Sequence, residues 1–405
     1  MAVTFARGFR AGTAACGIKA FTTGSSAIPT GQREDLCVIH SEHSCDTGGV
    51  FTTNKIKSAS VVIDQLHLQH NRVQALVINS GNANACTGAQ GFKDALQMAK
   101  LTADRLDLDP DQVLVSSTGV IGRYLPMNAV KAGIAEACTR LDAEHGVAAA
   151  RAIMTTDTVP KTAQLELDIG GASVRVGGMS KGSGMIHPNM ATLLAYVTTD
   201  AAVEGGLMAK LAKPIADLSF NQVTVDGDSS TNDTFLLLAN GAAGNPPIRA
   251  GSVEAEQLEM AMLEVARRLA RAIARDGEGA TRMIGVRVQG AETDEEARMA
   301  ARAVASSSLV KTAVHGGDPN WGRIVCALGY SGAELALDKL HLSIGGLVVF
   351  ERGAGVDVDL SAVRHAFEQP EIEIVATLGL ANGTAEAWGC DLSEEYVRVN
   401  AEYTT

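Results

Sequence analysis

The residues best suited by type and order to do chemistry lie mid-chain, in Lys181-Gly-Ser-Gly-Met-Ile-His187-Pro-Asn-Met190-Ala191-Thr192-Leu193-Leu194-Ala-Tyr196-Val197-Thr-Thr199-Asp200. Glycines and a proline hold a loop open before one threonine, and the apolar run after it is that of a buried strand. A hydroxyl at such a junction is a weak nucleophile until a base stands beside it. Cutting the Ala191-Thr192 peptide bond would supply one, because the new α-amine titrates near roughly 8 and shares its residue with the hydroxyl. Gly182 and Gly184 allow close backbone approach, and Lys181 brings a cation suited to a carboxylate. Thr118-Gly119, in a Ser-Ser-Thr-Gly turn after a strand, can aim a hydroxyl and a backbone N–H into one cleft, as an oxyanion requires. Each feature also has a plainer use. On local chemistry alone, the Thr192 loop is more often an ordinary turn before a core strand, and Thr118-Gly119 an unliganded β-turn.

The elements that must position these residues alternate between strand and helix, which implies an α/β fold. Short apolar runs at 35–40, 75–79, 112–115, 234–238, 283–288 and 341–350 read as strands. Helical spacing covers 92–106, 126–141, 201–219, 253–275 and 294–305, with Pro126 in a first turn. Residues 162–176 alternate as two antiparallel strands joined at Gly170-Gly171. The segment 240–252, with Pro246-Pro247 and three glycines, reads as a flexible connection. Glu278, between Gly277 and Gly279, sits on an exposed turn and faces either a site or water, more commonly water.

Composition narrows the class. With 405 residues and 46% hydrophobic content the chain can bury substantial cores, as two or three domains of ordinary size. Its formal charge of −12, without a basic block, disfavours nucleic acid or an anionic membrane and favours small metabolites. Seven cysteines, an odd number, are scattered without a CxxC, which fits reduced thiols in a cytoplasm. Residues 1–33 carry Arg7, Arg10, Lys19 and Arg33 and no acid, a bias shared with transit peptides, yet they lack the apolar run of a secretory signal. No stretch approaches the ~20 apolar residues needed to cross a bilayer. His40-x-x-His43-x-Cys45 and His67-x-x-His70 have loosely metal-like spacing, but no second cluster completes either, so no metal is expected. Gly177 to Ser183 lacks the residue order of a phosphate loop. His187 reads as a loop residue rather than as the base for Thr192.

The Lys181–Leu194 stretch resembles the self-cleavage motif of the ornithine acetyltransferases, or glutamate N-acetyltransferases, the ArgJ family of arginine biosynthesis. The resemblance continues through Asn79-Ser-Gly-Asn-Ala-Asn-Ala-Cys86-Thr87-Gly88, Ser117-Thr118-Gly119-Val-Ile-Gly122, Met154-Thr155-Thr156-Asp157-Thr158-Val-Pro-Lys161, Asp226-Gly-Asp-Ser-Ser-Thr-Asn-Asp233-Thr234, Ser308-Leu-Val-Lys-Thr312 and Gly317-Asp-Pro-Asn-Trp-Gly-Arg323. Seven motifs in the family's order span nearly the whole chain. The resemblance also covers Ala6 to Lys19, at the start of the family domain.

The resemblance implies a four-layer αββα-type sandwich with a C-terminal α/β domain, of a fold related to self-processing aminopeptidases. It implies an α fragment of residues 1–191 and a β fragment of 192–405, the C-terminal domain starting near 280, assembled as two α and two β fragments. By the same resemblance Thr192 is the nucleophile and Thr118 and Gly119 form the oxyanion hole. Substrate contacts fall to Thr155, Lys181, Thr192, Glu278, Asn400 and Thr405. The implied reaction moves acetyl from N2-acetyl-L-ornithine to L-glutamate through an acetyl-threonine, without a cofactor, acetyl-CoA being a candidate second donor. Two other readings compete: an aminopeptidase with the same nucleophile that deacylates to water, and a non-catalytic metabolite-binding protein.

Overall fold

A computed structural model of the chain describes residues 1–21, 33–187 and 193–402. The first sheet contains β1 (Phe9–Ala14), β2 (Leu36–Phe51), β3 (Val73–Asn82), β4 (Val113–Val120), β5 (Lys161–Ile169), β6 (Ala172–Lys181), β7 (Leu194–Thr199) and β8 (Thr234–Ala239). Its order is β4-β3-β2-β8-β7-β6-β5, with β1 on the free side of β2. The 16-residue β2 is the hinge of this sheet. Its first part pairs with β1 and β3, the register shifts between His40 and Cys45, and residues 46–51 pair with β8. Changing partner at this irregularity makes one sheet into two leaves, as a bulge that bends a strand can do.

Side-chain alternation then separates four layers. On the first leaf Leu36, Val38, Ala75, Val77, Val113 and Val115 face one core, while Cys37, Ile39, Leu76, Ile78 and Leu114 face another. On the second leaf Leu194, Tyr196, Leu236 and Leu238 join the core of that latter group, and Ala195, Val197, Phe235 and Leu237 face away. Period-two alternation therefore gives each leaf two apolar faces, and helices must cover the outer two. Helices α1 (Ala59–His67), α2 (Gly88–Leu106) and α3 (Met127–Thr139) cover the first leaf; α4 (Gly146–Ala152) packs into the middle core. Helices α5 (Leu207–Asp217) and α6 (Val253–Arg275) cover the second leaf. The result is the expected αββα sandwich.

The spacing predicts α6 over its observed span. Ser252 caps it by accepting from the Ala255 N–H, and Leu258, Met262, Val265, Leu269 and Ile273 form its buried stripe. A second sheet, ordered β12-β11-β10-β13-β9-β14, builds the C-terminal domain. Its strands are β9 (Met283–Ala291), β10 (His341–Ile344), β11 (Leu347–Glu351), β12 (Ala354–Gly355), β13 (Glu371–Thr377) and β14 (Gly383–Cys390). Helices α7 (Asp294–Ser306), α8 (Ser308–Gly316), α9 (Trp321–Gly329) and α10 (Leu360–Phe367) accompany it, and α11 (Glu394–Glu402) follows. Trp388 of β14 joins the core under α6, and the Thr224 N–H donates to its carbonyl at 2.9 Å, tying domain to body.

Several expectations need correction. The strand expected at 341–350 is a hairpin, because Gly345 and Gly346 both take positive φ and turn the chain between β10 and β11. The helix expected from 201 begins at Leu207, since Val203 bridges Ile248 and the Gly206 N–H is held by Asp46. The strand expected to end at His40 runs on to Phe51, and the one expected at 112–115 runs to Val120. No described helix is long and apolar enough to cross a membrane.

Leu236 lies fully buried between the leaves. Leu236→Ala should lower stability by about 2–5 kcal/mol, read from urea unfolding midpoints. A loss below about 1 kcal/mol would contradict a packed middle core.

Candidate active site

Six of the residues singled out in the sequence line one cavity of about 120 Å3: Thr118, Gly119, Thr155, Lys181, Glu278 and Asn400. Each arrives on a different part of the fold. Thr118 and Gly119 close β4, Lys181 closes β6, Thr155 lies between α4 and β5, Glu278 follows α6, and Asn400 is on α11. Thr118-Gly119 is thus strand rather than turn: the pairing of β3 and β4 continues through Ser80↔Thr118 and Gly81↔Gly119 before the register shifts at Asn82. Gly119 has φ of 129°, and a Cβ there would stand 2.3 Å from the Gly81 carbonyl carbon, so only glycine fits. Ala191, Thr192 and Thr405 lie outside the described residues. The chain re-enters at Leu193, whose carbonyl accepts from the Thr234 N–H at 3.0 Å, and Leu194 pairs with Lys181. Strand β7 therefore begins against the cavity's lysine.

Lys181 donates to Thr155 Oγ1 at 2.8 Å and Thr118 Oγ1 at 3.4 Å. Its Nζ is 4.0 Å from Asp157 Oδ2. Burial lowers the lysine's pKa from its ordinary value, and the Asp157 charge opposes that shift. Asp157 itself has a fully buried side chain. Burial alone would raise its pKa, but Lys161 at 2.7 Å, Lys181 and the Gly182 N–H at 2.7 Å outweigh it and hold the carboxyl far below the usual range. The Thr155 N–H also donates to Asp157, at 3.0 Å. Lys161 completes the cluster with Asp276 at 2.6 Å, at the end of α6. One carboxylate thus fixes the backbones of Thr155 and Gly182 and the charge of Lys181.

The opposite wall is built by close approach. A Cβ on Gly184 would lie 2.3 Å from the Glu278 carboxylate, so the glycine makes room for that side chain. Glu278 is half-buried and lines the cavity. Its Oε2 accepts from Asn400 Nδ2 at 2.8 Å. Asn400 can reach because Ser393, just before α11, donates to the Gly279 carbonyl at 2.6 Å. Asp226 accepts from the Met185 and Ile186 N–H groups at 2.5 and 2.8 Å and from Tyr396 Oη at 3.4 Å. Burial raises its pKa despite those donors.

The arrangement offers a hydroxyl beside an ammonium, a strand-end glycine, and a carboxylate with an amide, which suits a substrate bearing both a carboxylate and an amine. Sequence reasoning gave no role to Asp157, Asp226 or Tyr396. Asp157 and Asp226 lie inside quoted motifs, and the i to i+4 spacing of Asp157 and Lys161 was the available signal. His187 does not line this cavity: its Nδ1 is 3.0 Å from Thr224 Oγ1 and its Nε2 3.0 Å from Arg302, and burial, then Arg302, lowers its pKa to about 4. Motifs 308–312 and 317–323 also line other ground. Lys311 binds the Cys390 carbonyl, and Arg323 donates to Leu309 O and Thr312, within the C-terminal domain.

The ArgJ family model matches residues 10–405. The chain is 48% identical over 403 residues to the arginine biosynthesis bifunctional protein ArgJ of Symbiobacterium thermophilum, covering 100% of this chain and 98% of that protein. It is 44% identical over 403 residues to the protein of that name from Dehalococcoides mccartyi, covering 100% and 97%. A crystal structure of arginine biosynthesis bifunctional protein ArgJ from Bacillus halodurans aligns with a TM-score of 0.51 at 41% identity, over 52% of this chain and 100% of that one.

Asp157→Asn should cost about 3–5 kcal/mol at pH 7, because it breaks a buried ion pair and leaves Lys181 without its nearest carboxylate, while Lys161 keeps Asp276. The Asp157 pKa is lower folded than unfolded, so its stabilisation is complete above an unfolded value of about 4 and fades as pH falls below it. Melting temperatures should therefore converge between wild type and variant in acid. A gap that stays constant from pH 7 to pH 3 would contradict the assignment.

Proposed function

The chain belongs to the ArgJ family, and from that premise we propose that it is a self-cleaving glutamate N-acetyltransferase of arginine biosynthesis. The observation that carries this reading is the convergence of Thr118, Gly119, Thr155, Lys181, Glu278 and Asn400 on one cavity where the chain enters β7. The precursor divides between Ala191 and Thr192 into fragments 1–191 and 192–405.

In the proposed mechanism the Thr192 α-amine takes the hydroxyl proton as the oxygen attacks the acetyl carbonyl of N2-acetyl-L-ornithine. Thr118 and Gly119 hold the tetrahedral oxyanion. The C–N bond breaks, the proton passes to the departing amine, and ornithine leaves an acetyl-threonine. L-glutamate then enters, its amine attacks the ester, and N-acetyl-L-glutamate is released with the threonine restored. Lys181, with Thr155 beside it, meets a substrate carboxylate, while Glu278, held by Asn400, orients the amine. By the family resemblance Thr405 is a further substrate contact. No cofactor enters; the word bifunctional in the relatives' names fits acetyl-CoA as a second acetyl donor. The assembly is two α and two β fragments, in the cytoplasm.

Thr192→Ala should leave one uncut chain with no transferase activity, visible by gel and assay. Two fragments from that variant would sink the proposal. In cleaved enzyme, Thr118→Val should lower kcat about 10²- to 10³-fold, the usual loss for one oxyanion donor; an unchanged kcat would remove Thr118 from the mechanism.

A further inference from the structure

A second cavity, of about 410 Å3, lies between α5, the short turn after it, and α7. It shares no lining residue with the candidate active site. Three cations line it, and two have carboxylate partners in the wall: Lys213 with Asp217 at 2.5 Å and Arg298 with Glu295 at 2.6 Å. Arg302 is different. Among the described residues its guanidinium has no carboxylate within ion-pair distance, and its one hydrogen bond goes to His187 Nε2 at 3.0 Å. Since arginine only donates, Nε2 must accept, and the ring proton sits on Nδ1 facing Thr224 Oγ1 at 3.0 Å. His187 is therefore neutral and compensates nothing. Three cations against two carboxylates leave the wall one positive charge in excess, on a chain whose formal charge is −12.

An independent feature points the same way. Gln222 lines the cavity, is only 3% exposed, and donates its Nε2 to the Asp217 carbonyl. Its Oε1 is buried with no hydrogen-bond partner among the described residues. An acceptor left so costs roughly 1–3 kcal/mol, which a ligand donor would recover once a small shift of the Gln222 side chain turns Oε1 to the cavity. We propose that this cavity binds a small monoanionic carboxylate carrying a neutral N–H or O–H beside it, such as an N-acylated amino acid or a hydroxy acid. The carboxylate sits on Arg302, whose planar fork suits it, and the donor on Gln222 Oε1. A dianion would exceed the single positive charge, and the volume lies in the range of small-molecule sites. The inference rests on no part of the proposed reaction.

Isothermal titration calorimetry on the purified enzyme tests it with N-acetylglycine, 2-hydroxypentanoate and, lacking the donor, pentanoate. At least one donor-bearing probe should bind about tenfold more tightly than pentanoate, and which one does identifies the source of the donor. That affinity should persist in Lys181→Met, fall about tenfold or more in Arg302→Gln, and partly return in Arg302→Lys. Gln222→Leu should erase the advantage over pentanoate while sparing pentanoate itself. The proposal is overturned by equal affinities for all three probes, by no binding, by loss in Lys181→Met, or by unchanged binding in Arg302→Gln.

Discussion

The buried carboxylate of Asp157 is the constraint on which the rest of the site depends. It takes hydrogen bonds from the Thr155 and Gly182 N–H groups and from Lys161, and lies within reach of Lys181. A lone buried carboxylate would be driven to protonate, and a lone buried lysine to lose its proton. Paired, each favours the other's charged form, and their mutual geometry fixes three things at once: the end of β6, the loop before β5, and, through Asp276, the end of α6. These three segments carry Lys181, Thr155 and Glu278 to the cavity wall. The proposed site thus stands on an ion cluster of which only Lys181 lines the cavity.

From this centre the fold reads outward. Strand β2 bends to give two leaves, and both leaves end on the same side, bringing Thr118 and Lys181 together although they belong to different leaves. The C-terminal domain closes the remaining side because β14 docks under α6 and α11 follows it. Asn400 then meets Glu278 across 122 residues of sequence. Small residues mark the tightest approaches. Gly119 lets β4 pass the end of β3, and Gly184 gives Glu278 its place.

Much of this was legible in the sequence, for identifiable reasons. Helix α6 has a cap, a clean apolar stripe and a glycine turn after it, so pattern and structure coincide at both ends. The hairpin at Gly170-Gly171 was readable because turn chemistry and alternation agree. At 341–350 the apolar residues flanking Gly345-Gly346 on both sides give one continuous hydrophobic run, which masks the turn. Thr118-Gly119 was placed in a turn because glycine usually ends a strand; here the bulge lies on the partner strand, at Asn82. The site residues came from motif resemblance, not from periodicity. What neither could show were contacts made only by folding, such as Asp157 with Asp276 through Lys161, or His187 with Arg302 across 115 residues.

The central claim is that a threonine freed by cleavage carries the acetyl group between two amines, and intact mass spectrometry addresses it most directly. The purified protein is measured before and after N2-acetyl-L-ornithine is added without glutamate. The account predicts two fragments, the second beginning at Thr192 and gaining one acetyl group that L-glutamate then removes. A cleaved protein whose fragments never gain mass, while acetyl transfer to glutamate proceeds, would contradict it.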